Sequence, residues 1–221
     1  MKDIFTFLLQ HGNHGAEEAA EFLVNYPDRI PLLMEAVGEN ENKRLKNAAL
    51  KALWLVSEQQ ASLLMDHFPI FYQWVEKEDS IVQWNAIRIL GNLAEADHHN
   101  LINEEVVGEL CYLVKYSPLI TANHAVVALG KIALGKPAYR DGILAFLAHS
   151  DQYKKDTEEC NNIMAGKVLL VFQQLTDYLE EHGDVKAYAE RQLNCERAST
   201  VQKAQRLLKM IEQVDDTTEV A

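Results

Sequence analysis

Apolar residues return along this chain at the interval of a helix, not of a strand. From Ala86 to Leu93 the sequence reads AIRILGNL, and from Ala125 to Ile132 it reads AVVALGKI. In both, a small residue is followed by apolar ones at +3, +4 and +7. At 100° per residue these gather on one helix face. The template recurs in ALKALWLV from Ala49, AGKVLLVF from Ala165 and AQRLLKMI from Ala204, so the five alanines stand 37, 39, 40 and 39 residues apart. A helix that repeats after about forty residues is the mark of stacked helical hairpins. The predicted fold class is all-α, a right-handed α-α superhelix built as a solenoid of antiparallel hairpins.

Between the templated helices the pattern predicts their hairpin partners at Ala61–Glu76, Glu104–Lys115, Tyr139–Ala148 and Asp184–Leu193. Three helices, Lys2–Gln10, Ala16–Tyr26 and Ile30–Val37, precede them and fit the repeat poorly, as a terminal cap does. Asp79-Ser80 and Ser117-Pro118 read as helix starts, with Asp79 and Ser117 capping. Pro69 falls inside its helix and predicts a kink. The expected organisation is one helical-repeat domain over 1–213, with a cap over 1–38, repeats from about 39 to 213, and a flexible acidic tail over 214–221.

IVQWNAIRILGNLA, from Ile81 to Ala94, resembles the second helix of a HEAT repeat with an armadillo flavour, and Pro69 is similar to the proline often found in the first. The resemblance covers roughly residues 39–213. It implies a non-catalytic scaffold or adaptor that holds a protein partner on the concave wall of the solenoid. HEAT units carry a basic residue three before the small one; here the slot holds Lys46, Gln83, Ala122, Asn162 and Val201. Armadillo units carry an asparagine six after it; here the slot holds Leu55, Asn92, Lys131, Val171 and Met210. The resemblance also implies an alternative, a DNA-binding module of the alkylation-repair type, since Trp84 and Arg88 are two of the residue types such modules use. HEAT-like bilin lyases are a third resemblance, for which no residue speaks.

Composition narrows the choice. The chain has 221 residues, 33 acidic and 21 basic, for a net charge of −12. That balance argues against nucleic acid, whose binding depends on Lys and Arg neutralising phosphates, and against an anionic membrane surface. Cys111, Cys160 and Cys195 form no CxxC pair, which predicts reduced thiols and neither a disulfide framework nor a zinc site. The apolar run in MKDIFTFLLQHGNHG is too short for a signal peptide, and the protein is expected in the cytoplasm. No nucleophile, metal or phosphate-loop motif occurs. His98-His99 reads as a solvated loop, and His11 and His14 as part of a glycine turn. The expectation is no enzyme, no cofactor and no metal.

One set of positions suggests binding. Two after each small residue stand Lys51, Arg88, Val127, Lys167 and Arg206, on the side away from the buried arc. Two before it, also outward, stand Asn47, Trp84 and Asn123, and Trp54 lies five after Ala49. Lys51, Trp54, Trp84, Arg88, Asn47, Asn123, Lys167 and Arg206 are therefore the candidate partner-binding residues of a concave face. Basic rungs predict a protein partner or acidic peptide segment. Trp84 and Arg88, one turn apart, are the expected cation–π pair.

Overall fold

The computed structural model describes residues 4–39, 42–178 and 183–218, and among them the chain is helical with no strand. The helices are α1 Ile4–His11, α2 Ala16–Asn25, α3 Ile30–Glu39, α4 Lys43–Gln59, α5 Phe68–Trp74, α6 Ser80–Leu93, α7 Glu104–Tyr116, α8 Leu119–Gly135, α9 Pro137–Ala148, α10 Glu158–Leu175, α11 Gly183–Gln192 and α12 Ala198–Thr218. They fall into two compact units, Met1–Leu101 and Ile102–Ala221.

In the first unit α4 packs between α2 and α6, while α3 closes on α4 and α5 on α6 as hairpin partners. In the second, α10 packs between α8 and α12; α7 closes on α8, α11 on α12, and α9 lies against α8 and α11. The templated helices thus stack on one another within each unit. The template is the reason: Ala49, Ala86, Ala125, Ala165 and Ala204 are all buried, none more than 5% exposed. Leu90 and Leu129, at +4 in two of these helices, are fully buried beside them. Gly130 measures how close the helices come. A Cβ there would stand 2.8 Å from both Val171 methyls, so α8 and α10 meet at a distance that only a missing side chain permits.

Local chemistry sets the helix ends. Asn42, Asp79 and Asn103 each accept two N–H bonds from the first turn of α4, α6 and α7, and Thr157 accepts one from Cys160 at the start of α10. Asp79 therefore caps as its sequence predicts. Ser117 does not: its N–H bonds back to the Leu113 carbonyl, which closes α7, and Pro118 holds the cap position before α8 with no side-chain cap bond. Pro69 does not kink a long helix either. Residues Ala61–His67 form a 3-10 stretch, and Pro69 sits in the first turn of the separate α5, where its missing N–H has no partner to lose. Helix α12 runs on to Thr218, into the segment expected to fray from Val214; residues 219–221 and Lys2 lie outside the described residues.

Helix C-termini leave carbonyls unpaired, and basic side chains from other segments satisfy several of them. Arg44 donates to the Gln10 carbonyl of α1 at 2.8 Å, and Arg140 to Ala133 of α8 at 2.9 Å. Lys155 holds Val114 at 2.7 Å and Ser117 at 2.9 Å at the end of α7, and Arg191 holds Ala148 of α9 at 2.7 Å. A cation there also opposes the negative end of the helix dipole. Other links join residues about one repeat apart: Lys46 to Asp79 at 2.9 Å, Arg197 to Glu159, and the Thr200 hydroxyl to the Asn162 main-chain carbonyl at 2.8 Å.

Candidate partner-binding surface

On α4, Asn47, Lys51, Trp54 and Glu58 follow one another at intervals of four, three and four, and so share a face. On α6, Trp84, Asn85 and Arg88 stand three, four and seven after Ile81 and share a face with it, and all eight side chains are exposed or half-buried. Because α4 and α6 pack together, the two faces adjoin. Arg88 joins them: its guanidinium lies 3.3 Å from the centroid of the Trp54 ring. The ring beneath Arg88 is thus that of Trp54 on the neighbouring helix, not the Trp84 expected from helical spacing. Burial works against the Arg88 charge, and the Glu58 carboxylate supports it.

Lys51 is committed differently. Its ammonium donates to Glu17 Oε1 of α2 at 2.7 Å and to the Asn13 carbonyl at 3.0 Å. That hydrogen bond holds the Glu17 carboxyl below its usual range. Asn47 lines a shallow cleft of about 290 Å3 with His11, Gly12, Asn13, His14 and Arg44. The first unit therefore brings Trp54, Trp84 and Arg88 onto adjoining faces, while Lys51 pairs with an acid of the cap.

In the second unit Asn123 of α8 is half-buried, and its Oδ1 is enclosed with no hydrogen-bond partner among the described residues. Lys167 is half-buried on α10 and Arg206 exposed on α12. A further cation belongs with them. The Lys203 ammonium lies where a Cβ on Gly166 would be 3.2 Å away, and its pKa is lowered by burial first and then by Lys167 and Arg197. The repeat register misses Lys203, because it stands one before Ala204, outside the outward slots. Its place one turn before Arg206 is the signal that finds it.

Among the described residues no group of three or more His, Cys, Asp or Glu is placed to hold a metal, and no helix is long and apolar enough to cross a membrane. His98 and His99 are exposed.

No family model and no curated protein matches the chain. Solved structures do. A designed armadillo repeat protein in complex with the peptide (KR)4 matches 92% of this chain and 90% of its own, with a TM-score of 0.63 and 17% identity. A second designed armadillo repeat protein matches over the same shares at 0.59 and 18%. An engineered protein matches 96% of this chain and all of its own at 0.57 and 19%. The chain is an armadillo/HEAT-like repeat solenoid. At such identities the likeness carries the fold alone. The solenoid's one asparagine in the armadillo-like slot, Asn92, donates to the Ser57 hydroxyl of α4 at 2.7 Å, and Ser57 donates in turn to the Trp54 carbonyl. Asn92 thus braces the helix that carries Trp54.

Proposed function

We propose that this solenoid is a non-catalytic scaffold that binds a protein segment, and that the α4–α6 face of the first unit is its contact surface there. The observation that carries the reading is the stack of Arg88 on Trp54. A guanidinium lying flat on an indole keeps the N–H groups at its edge free to meet a carboxylate in bidentate fashion. Trp and Arg in partly buried positions are the residue types that dominate binding energy at protein interfaces. Trp84 and the 40%-exposed Ile81 supply apolar area beside them. In the second unit Lys167, Lys203 and Arg206 supply positive charge, and among the described residues no carboxylate is paired to them. An acidic peptide segment is the proposed guest.

A basic guest is the second reading. The net charge of −12 favours it, and the (KR)4 peptide of one designed neighbour is such a guest. Nucleic acid is not favoured, since Lys46 and Lys51 are neutralised by Asp79 and Glu17. Fluorescence anisotropy with labelled glutamate-rich and lysine-arginine peptides separates the readings. Arg88→Glu should weaken an acidic guest and tighten a basic one, and Trp84→Ala should weaken either. Affinity for both peptides that ignores both substitutions would remove this face from the reading.

A further inference from the structure

The second unit holds a cleft of about 280 Å3 between the turn after α9, the start of α10 and the end of α11. Ser150 and Tyr188, both fully buried, line it, and the Ser150 hydroxyl donates to the Tyr188 oxygen at 3.2 Å. Arg191 is engaged with Asp151 at 2.7 Å and with the Ala148 carbonyl. Asn161 accepts from the Lys155 N–H at 2.7 Å and donates to Glu158 at 3.2 Å.

Two lining side chains are different. Asn162 and Gln192 are only 7% and 8% exposed, and among the described residues neither carboxamide has a hydrogen-bond partner. Among the described residues the enclosed side-chain atom without a partner is Asn123 Oδ1 alone, so the two carboxamides are not sealed off and keep access to the cleft they line. Their backbones are fixed, Asn162 by the Thr200 hydroxyl on its main-chain carbonyl and Gln192 as the last residue of α11.

Three features select the guest. A carboxamide offers one carbonyl acceptor and two N–H donors, so its complement is a group with both, which is another amide. The charged lining residues, Asp151 and Glu158 against Lys154 and Arg191, cancel, which disfavours any ligand with a net charge. The volume lies at the lower end for small-molecule clefts, which limits the guest to a few heavy atoms beyond the amide. We propose that this cleft is a binding site for a small carboxamide of the size of glutamine, held by Asn162 and Gln192. The site is separate from the α4–α6 face and does not depend on the function proposed for it.

Nitrogen-15 NMR of the full chain tests this, with free L-glutamine, N-acetyl-glutamine amide and L-glutamate as probes. Glutamine or its blocked form should shift the side-chain NH2 signals of Asn162 and Gln192 saturably, with a dissociation constant on the order of 1 mM or below. Glutamate, the same shape with a charged end, should bind at least about tenfold more weakly. Binding of the blocked form would assign the guest to a peptide side chain; binding of the free form alone would assign it to the amino acid. Gln192→Met, with its fold checked from the spectrum, should abolish the shift. If that variant does not fold, Gln192→Glu replaces one amide with the shape kept and should do the same. No saturable shift up to roughly 10 mM, equal binding of glutamate, or binding that survives in a folded Gln192 variant would overturn the proposal.

Discussion

The guanidinium of Arg88 on α6 covers the indole of Trp54 on α4, with 3.3 Å between them. Two helices of successive repeats are thereby joined through side chains on their outward faces, above the alanine and leucine core. A half-buried cation–π pair couples its members by about 0.5–2 kcal/mol. The double-mutant cycle of Arg88→Ala and Trp54→Leu, followed by urea unfolding, should show a coupling in that range. A coupling within error of zero would mean that the two side chains stack without holding each other.

Gly130 and Val171 give a test of close packing. Gly130→Ala forces a Cβ to 2.8 Å from both valine methyls, and overpacking of this kind costs about 1–3 kcal/mol. Val171→Ala removes those methyls. The pair of substitutions should therefore cost clearly less than the sum of the two alone. Strict additivity in denaturant titrations would count against the contact.

Leu90 is fully buried at the +4 slot of α6. Leu90→Ala should cost roughly 2–5 kcal/mol, the range for a buried leucine that leaves a cavity. A midpoint in urea close to that of the parent, with an unchanged slope, would contradict this.

How much of this was legible follows from what each residue depends on. The five alanines, their burial and the hairpin stack follow from periodicity, because one helix face is a property of one stretch of sequence. Pro69 and Ser117 depart from their expected roles because a proline or a serine suits several kinds of helix end: the 3-10 stretch Ala61–His67 decides for Pro69, and the closing bond to the Leu113 carbonyl decides for Ser117. The outward slots placed Arg88 and Trp54 on solvent-facing sides, but which ring Arg88 covers depends on how α4 and α6 pack. Lys51 was equally opaque: its partner, Glu17, lies in the cap, which has no repeat register to align. Asn162 and Gln192 line a cleft made by three separate segments, and no single stretch shows that the fold brings those segments together.

Asp79 yields a pH dependence. It caps α6 and pairs with Lys46, and the Lys46 hydrogen bond foremost holds its carboxyl below the ordinary value of 3.8. A depressed folded pKa means that the unfolded chain takes up the proton first as pH falls. The stabilisation is therefore present above 3.8 and is lost as pH drops through the lower folded value. At pH 7 Asp79→Ala should cost about 0.5–2 kcal/mol, and the difference from the parent should shrink in acid. Asp79→Asn should keep most of the cap and lose the acid dependence. An Asp79→Ala difference that stays constant down to about pH 2 would refute the assignment.

Burial pushes the Cys111 thiol up to about 11. At pH 8 roughly one molecule in a thousand then carries the thiolate, the form that reacts. Iodoacetamide should modify Cys111 far more slowly in the folded chain than in urea, as peptide mass mapping would record. Equal rates in the two conditions would place the thiol in solvent.

The links between repeats have a consequence for how such a chain changes over generations. Lys46 reaches Asp79, Lys51 reaches Glu17, Asn92 reaches Ser57 and Thr200 reaches the Asn162 carbonyl. Every one departs from a different position of the alanine template, and they end on two carboxylates, a hydroxyl and a main-chain carbonyl. The buried alanine slot is common to all five templated helices. These polar ties are individual, and each fits one neighbour only. Duplicating or transposing a repeat would preserve the buried alanines yet strand a lysine, an asparagine or a threonine at the new junction. The order of the repeats is thus inscribed in their side chains, and the array grows or shuffles only where substitutions rewrite both sides of a seam.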